Sequence, residues 1–382
     1  VGCSAHPTWV EINLEALAAN VRALRQWLPA RTALFAVVKA NAYGHGAVEV
    51  ARTALAAGAA GLCVARVAEG VALRQAGIGA PVWVLGWMAP SEAATCARFR
   101  LTPTVNSLEQ ARALASANSD VPLPVHVKVD TGMSRYGLLP HEVLPFVRAL
   151  AAFPQLRLEG LWTHLARADE ADPAPARRQV DAFRAVVRQL EAEGLSPPIH
   201  HVAASAAALH PELNSEYFQA VRVGIALYGL YPSDQVAWPV ALTPVLAWKA
   251  RVARVRTLPP GTPVSYGGTY VTPRTTRVAL VPAGYGDGYP RALSNRGAVL
   301  IRGRRCPILG RVCMDGFVVD VSHVDGVREG DEVVLIGRQG EEGITADELA
   351  QALDTINYEV VTRIMGRVPR LYLSGERPAA SE

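Results

Sequence analysis

Lysine is nearly missing from this 382-residue chain: of 38 basic residues only Lys39, Lys128 and Lys249 are lysines. Cysteine is also sparse and scattered, at Cys3, Cys63, Cys96, Cys306 and Cys313. An odd, dispersed set without a CxxC pair or a His/Cys cluster excludes a disulfide framework, gives no metal site, and fits a reducing cytoplasm. No uninterrupted apolar stretch approaches the roughly 18 residues of a membrane span. The opening "VGCSAHPTW" has no basic-then-apolar leader. The cytoplasm is therefore the expected compartment, with the periplasm less favoured. Basic runs and aromatic-interleaved basic stripes are lacking too, since the net charge of +4 comes from arginines dispersed among acids. Neither nucleic acid nor a membrane is expected as a partner.

What is present is a chain of 50% hydrophobic residues, long enough for two domains with substantial cores. After an amphipathic segment at 13–28, eight apolar runs alternate with helix-length stretches. The runs are "LFAVVKA" (34–40), "GLCVA" (61–65), "VWVLG" (82–86), "LTPTVN" (101–106), "PVHVKVD" (124–130), "LEGLWTHL" (158–165), "IHHVAAS" (199–205) and "VRVGIALYG" (221–229). Eight strand–helix alternations predict an α/β fold, a parallel (β/α)8 barrel of the TIM type. Beyond about residue 235 the pattern shifts to alternating β-branched strands. Candidates are "VLAWKARVARVRTL", "RVALVPAG", "AVLIRG", "GFVVDVS" and "DEVVLIG", with a helix near 345–353 and a last strand at "RLYL". The expected division is a barrel over 1–235, including a short N-terminal segment, and a mostly β domain over 236–382. The charged tail "SGERPAASE" is expected to be mobile.

Barrel enzymes gather their chemistry at the C-terminal ends of the strands, and Lys39 ends the first predicted strand. One reading is a solvated or salt-bridged lysine. The other is a nucleophile, because a chain that uses arginine for nearly every positive charge keeps a primary amine here. An amine forms a Schiff base with an aldehyde and a guanidinium does not. Pyridoxal 5'-phosphate is the natural aldehyde to propose.

In order along the chain, "VKANAYGHG", "KVDTGMSRYG", "THLARADE", "VRVGIALYGL", "VSYGGTY", "PAGYGDGYPR", "GRVCMDG" and "TINYEV" resemble the bacterial alanine racemases. These are fold-type III pyridoxal phosphate enzymes with an N-terminal barrel and a C-terminal β domain. The resemblance implies that Lys39 holds the cofactor and serves as one acid/base group. It makes Tyr266 the second, reaching the lysine of the other subunit in a head-to-tail homodimer with shared active sites. A proton taken from one face of a carbon and returned on the other calls for two groups. A tyrosine, ordinarily titrating near pH 10, needs help to act as a base. By resemblance His164 supplies it and touches Arg222, which stands where many pyridoxal enzymes put a carboxylate against the ring nitrogen. A donor there leaves the carbanion less stabilised and disfavours transamination.

The resemblance also assigns phosphate-binding positions to Tyr43, Ser205, the backbone of Gly224 and Ile225, and Tyr358. Beside Ser205 the family's common Asn-Ser is Ala204-Ser205. Arg135 is implied as donor to the cofactor's phenolic oxygen and to the substrate carboxylate. Met314 offers a backbone N–H to that carboxylate, with Asp315 beside it. Lys128 is expected to be carbamylated, the alternative being an ion pair with Asp130. Asp169, Tyr285, Arg311 and Ile356 match positions lining the entry passage, and Tyr266 and Tyr358 its narrow end. Alanine is the implied substrate, with low serine activity, and cell-wall peptidoglycan the implied destination of D-alanine. "AGYGDG" reads equally as an ordinary turn. Two other readings are a cofactor-carrier barrel, which would lack the second domain, and an amino-acid decarboxylase, which would have an acidic partner for the ring nitrogen. Tyr266, Asp315 and Tyr358 argue against the first, and Arg222 and Tyr266 against the second.

Overall fold

The computed structural model describes residues 6–118, 121–213 and 218–374. Cys3 and the tail beyond Ser374 lie outside them. The chain forms two compact units, one of Ala16–Ala42 and Ala47–Thr243, the other of Val1–Glu15, Tyr43–Gly46 and Pro244–Glu382. The first strand in chain order, β1 (Thr8–Asn13), belongs to the second unit.

In the first unit follow β2 (Ala33–Val37), β3 (Gly61–Val64), β4 (Val82–Val84), β5 (Thr102–Pro103), β6 (Leu123–Lys128), β7 (Leu156–Trp162), β8 (Ile199–His201) and β9 (Ala220–Val223). Each coincides with one of the eight predicted runs. They pair in parallel as two arcs, β5-β4-β3-β2-β9 and β6-β7-β8. The bridges Thr104–His126 and Ala204–Arg222 join the arcs, so the eight described strands close into a barrel. Every residue of β3, β4 and β9 is buried, which is why these strands are unbroken apolar runs. The intervening helices bury one stripe each. In Leu108–Ala117, for example, Ser107 caps the start by accepting the Gln110 N–H, and Ala111, Leu114 and Ala115 face inward at helical spacing.

In the second unit β1 pairs antiparallel with Leu246–Arg251 and parallel with Arg370–Leu373. The expected boundary at 235 thus falls at Thr243/Pro244, and the segment expected to precede the barrel supplies a strand to the other sheet, burying Trp9, Val10 and Ile12. "VLAWKARVARVRTL" is two strands, Leu246–Arg251 and Arg254–Leu258, rather than one. The sheet runs Arg254–Leu258, Thr276–Val281, Phe317–Asp320, Arg304–Leu309, Ala298–Ile301, Glu332–Gln339, Leu246–Arg251, β1, Arg370–Leu373. Lys249, to which the sequence gives no role, is buried between two carboxylates, with Nζ 3.1 Å from Glu11 Oε2 and 3.0 Å from Glu332 Oε2. It ties three strands together.

Candidate active site

Lys39 stands two residues beyond β2. Ala40, Asn41, Ala42 and Tyr43 all have φ between 51° and 54°, a left-handed turn that non-glycine residues rarely adopt even singly. Local hydrogen bonds hold it: Ala42 N–H to Val38 O (2.9 Å), Ala40 N–H to Glu69 Oε1 (2.7 Å) and Ala47 N–H to Asn41 Oδ1 (2.9 Å). Burial first, and the Arg135 guanidinium next, hold the Lys39 amine below the ordinary lysine range, against an opposing pull from Glu69. A less protonated amine is the better nucleophile.

Arg222, on β9, is buried, and among the described residues no carboxylate bonds to it. Its Nη1 donates to His201 Nδ1 (2.7 Å) and His201 O (3.0 Å). Its Nη2 donates to Thr163 O (2.9 Å), Val202 O (3.0 Å) and, longer, His164 Nδ1 (3.4 Å). Among the described residues none accepts from Nε–H, which leaves that donor for a ligand. The guanidinium lies over the Trp162 ring at 4.8 Å, and burial lowers its pKa to about 10, which leaves it charged at neutral pH. Because arginine only donates, the facing ring nitrogens must accept. Nδ1 of His164 is therefore unprotonated and Nε2 carries the hydrogen. Burial and then the Arg222 charge push His164 down to about 3, so the imidazole is neutral. The buried Gln179 amide steadies this loop, accepting from Ala166 N–H (2.8 Å) and donating to His164 O (3.3 Å).

Behind Arg222 lies a chain of groups that sequence reasoning missed. His201 Nε2 donates to His126 Nδ1 at 2.9 Å, and His126 Nε2 faces Glu159 Oε2 at 3.5 Å. The direction is forced from both ends, by an arginine that cannot accept and a carboxylate that cannot donate. Burial keeps both histidines below their ordinary pKa. Room for the His126 ring comes from a register shift between Val125 and His126 and from Gly160, where an added Cβ would lie 2.7 Å from the imidazole.

Lys128 ends β6 and, like Arg222, lies over the Trp162 ring, its Nζ 5.3 Å from the ring centroid. Nζ donates to Tyr136 O. Burial, opposed by Asp130 and reinforced by Arg135, lowers its pKa to about 8. The alternative pairing with Asp130 is not a hydrogen-bonded one: Oδ1 of Asp130 accepts the N–H groups of Gly132 (3.0 Å), Met133 (2.9 Å) and Ser134 (3.0 Å), and Oδ2 that of Arg135 (3.2 Å). Asp130 thereby shapes the loop that presents Arg135.

Of the implied phosphate-binding positions, Gly224 N–H is taken up by Ser205 Oγ (2.9 Å), which Ala226 N–H also approaches at 3.4 Å. Among the described residues none accepts from the Ser205 hydroxyl or from the Ile225 N–H. Tyr43 and Tyr358 meet in the second unit, their ring centroids 6.2 Å apart.

The remaining expected residues lie in the second unit, except Asp169 in the loop after β7. Tyr266 is 73% exposed, Ile356 57%, Met314 52% and Tyr285 43%. Ser265 Oγ donates to Arg311 O at 2.7 Å. In "AGYGDG" an added Cβ on Gly284 would fall 2.2 Å from Cys313 O, and one on Gly286 3.0 Å from Met314 O. These glycines let two turns pack backbone to backbone. Gly316 is filled similarly, since an added Cβ would meet Val281 O at 3.1 Å.

The sequence pattern of the alanine racemase N-terminal domain matches residues 12–232, and that of the C-terminal domain 245–372. The chain belongs to the alanine racemase family. It is 50% identical to the alanine racemase of Symbiobacterium thermophilum over 369 residues, 96% of this chain and 97% of that protein. The alanine racemase of Halothermothrix orenii is 46% identical over 368 residues, 96% and 97% of the two chains. Among solved structures, alanine racemase from Bacillus anthracis with bound L-Ala-P superposes with a TM-score of 0.92 at 39% identity, covering 98% of this chain and 96% of that one. The enzyme from D-cycloserine-producing Streptomyces lavendulae gives 0.91 at 41%, covering 98% and 99%.

Membership in this isomerase family, whose enzymes use pyridoxal phosphate, agrees with the geometry of the first unit. The structure brings Lys39, Lys128, Arg135, His164 and Arg222 within electrostatic reach of one another at the strand ends. Among the described residues no helix is long and apolar enough to cross a membrane, and no group of His, Cys, Asp or Glu could hold a metal ion.

Proposed function

We propose that this chain racemises alanine with pyridoxal 5'-phosphate, using Lys39 and Tyr266 of a second copy as two acid/base groups. The observation that carries the reading is Arg222, a buried cation with its Nη hydrogens spent on protein acceptors and its Nε–H left over. Such a group fits the ring nitrogen of the cofactor as a donor, where a carboxylate would instead hold a proton. Bound pyridoxal phosphate supplies the electron sink that makes the α-hydrogen of alanine acidic. Lys39, with its proton held loosely, would retain the cofactor and exchange a proton at the α-carbon on one face. Ser205, the Ile225 N–H, Tyr43 and Tyr358 would hold the phosphate, and Arg135 the phenolic oxygen and the substrate carboxylate.

Tyr266 would act on the opposite face. The neutral His164, with Nδ1 fixed as acceptor, presents Nε2–H as the donor that would stabilise the phenolate. The exposure of Tyr266, Met314, Tyr285 and Ile356 supports a head-to-tail homodimer in which these side chains serve the neighbouring barrel. Met314 and Asp315 would receive the alanine carboxylate beside Arg135. Asp169, Tyr285, Arg311 and Ile356 would line the way in, and the phenols of Tyr266 and Tyr358 would narrow it to small amino acids. Lys128, partly neutral because of its lowered pKa, suits reaction with carbon dioxide, and a carbamate there would turn one of two neighbouring cations into a partner for Arg135. Cytoplasmic D-alanine made in this way would supply peptidoglycan synthesis.

The deciding experiment is deuterium exchange at the α-carbon of L- and D-alanine in heavy water, with chiral analysis, for the parent, Lys39→Ala and Tyr266→Phe. Exchange with inversion in the parent, lost in Lys39→Ala and reduced about 10²- to 10⁴-fold in Tyr266→Phe, is expected. Cofactor binding without exchange would refute it. A crystal structure or intact mass lacking the added CO₂ would remove the Lys128 carbamate alone.

A further inference from the structure

The turn Cys313–Met314–Asp315 is fixed from one side. Tyr285 N–H donates to Cys313 O at 3.0 Å and Gly286 N–H to Met314 O at 2.9 Å. In a trans peptide the N–H points opposite to the C=O. Both carbonyls are turned toward Gly284–Gly286, so the N–H groups of Met314 and Asp315 are turned away from it, and among the described residues neither has an acceptor. Successive backbone N–H groups of this kind suit an anion. The difficulty is Asp315 itself, whose own carboxylate would repel an approaching one.

Arg367 removes that difficulty. Its Nη2 binds Asp315 Oδ1 at 2.7 Å and lies 3.5 Å from Met314 O, and its Nε binds Asp287 Oδ1 at 2.7 Å. Asp287 is buried, and its Oδ2 accepts the Gly284 N–H at 2.8 Å. The guanidinium is therefore anchored on a fixed carboxylate and reaches out to an exposed one. Gly286 makes the passage possible, since an added Cβ would lie 2.7 Å from Arg367 Nη2.

We infer that Arg367 is a positioning residue for the substrate carboxylate: it holds the Asp315 charge on the Asp287 side and keeps the Met314 and Asp315 N–H edge open to a carboxylate anion. The inference rests on the reading in which Met314 N–H receives the carboxylate of alanine. A residue that only glued two turns together would affect stability and turnover without regard to the charge of Asp315. Arg367 acts instead on carboxylate affinity, through a charge that a second substitution can delete.

The test uses the holoenzyme, with alanine kinetics and propionate as a carboxylate probe that binds without turnover, titrated by calorimetry. Like charges brought together should raise KM and the propionate Kd about tenfold in Arg367→Gln, with kcat within about threefold of the parent. Adding Asp315→Asn to Arg367→Gln should recover most of that loss. Unchanged KM and propionate Kd in Arg367→Gln, or a double variant no better than the single, would overturn the inference. Should Arg367→Gln lose its thermal transition, Arg367→Lys is read instead. It keeps one charge but cannot bridge two carboxylates, so an intermediate propionate Kd supports the inference and a parental one overturns it. A parent that fails to racemise alanine defeats the functional reading, while the propionate titrations still decide the role of Arg367.

Discussion

The barrel cluster and the second-unit turns solve opposite problems. Around Arg222 the groups are buried, and protonation is set by desolvation and by which atoms can donate. Around Met314 the backbone is fixed by neighbouring N–H groups, while the side chains of Tyr266, Met314 and Asp315 stay near water. One region tunes charge and the other presents atoms. A buried cationic site can be strongly perturbed because it is built once, inside a closed barrel. A surface that has to meet something else gains more from a rigid backbone than from an altered pKa.

The largest contrast should appear in stability. Arg222→Leu strands the carbonyls of Thr163 and Val202, at roughly 1–3 kcal/mol for each buried acceptor left without a donor, and leaves His201 O only the Thr163 N–H at 3.3 Å. Its thermal transition should fall by many degrees. Tyr266→Phe should stay within about 0.5 kcal/mol of the parent, as exposed substitutions usually do. Equal losses in calorimetry would erase the distinction between the regions.

A smaller effect is expected at Asp130. Partial burial raises its pKa, but the N–H groups of Ser134, Gly132 and Met133, with Lys128, outweigh this and hold it below the usual range. Its contribution is present above the unfolded value near 3.8 and is lost as pH falls through the folded one. Asp130→Asn should lower stability at neutral pH by about 1–3 kcal/mol and flatten the acid limb of denaturation. An acid limb identical to the parent's would show that the loop does not depend on this carboxylate.

The smallest effect concerns Lys128. Its folded pKa of about 8 lies below the model-peptide value of 10.5, so between those values the unfolded chain binds more protons and stability rises with pH. Lys128→Met should reduce that slope in denaturant titrations run from pH 8 to 10, leaving the part of the same sign that the lowered Lys39 amine contributes. An unchanged slope would assign it to groups other than Lys128, a result that a carbamate on Lys128 in the parent would also give.

The barrel was legible because strands buried on both faces are written as continuous apolar runs, and Lys39 because lysine is scarce and this one ends such a run. The strand Arg304–Leu309 was not, since "RRCPIL" carries two arginines and a proline, although it pairs with the strands before and after it in sequence. His126 and His201 looked like ordinary strand residues. Their contact depends on a register shift and on Gly160, which no periodicity reveals. Arg367 was hidden by abundance, because in an arginine-rich chain a single arginine carries no signal until its two carboxylates are seen. The placement of β1 was unreadable for a different reason: a six-residue strand specifies a face, and only the whole chain specifies a neighbour.

That strand has a consequence for how the protein is made. Thr8 Oγ1 bonds the carbonyl of Lys249, 241 residues later. At about 5–20 residues per second, the ribosome needs roughly 12–48 s to deliver that partner. The first strand to emerge is thus among the last to pair, and Trp9, Val10 and Ile12 wait in the open while the sequence of an entire barrel is translated behind them.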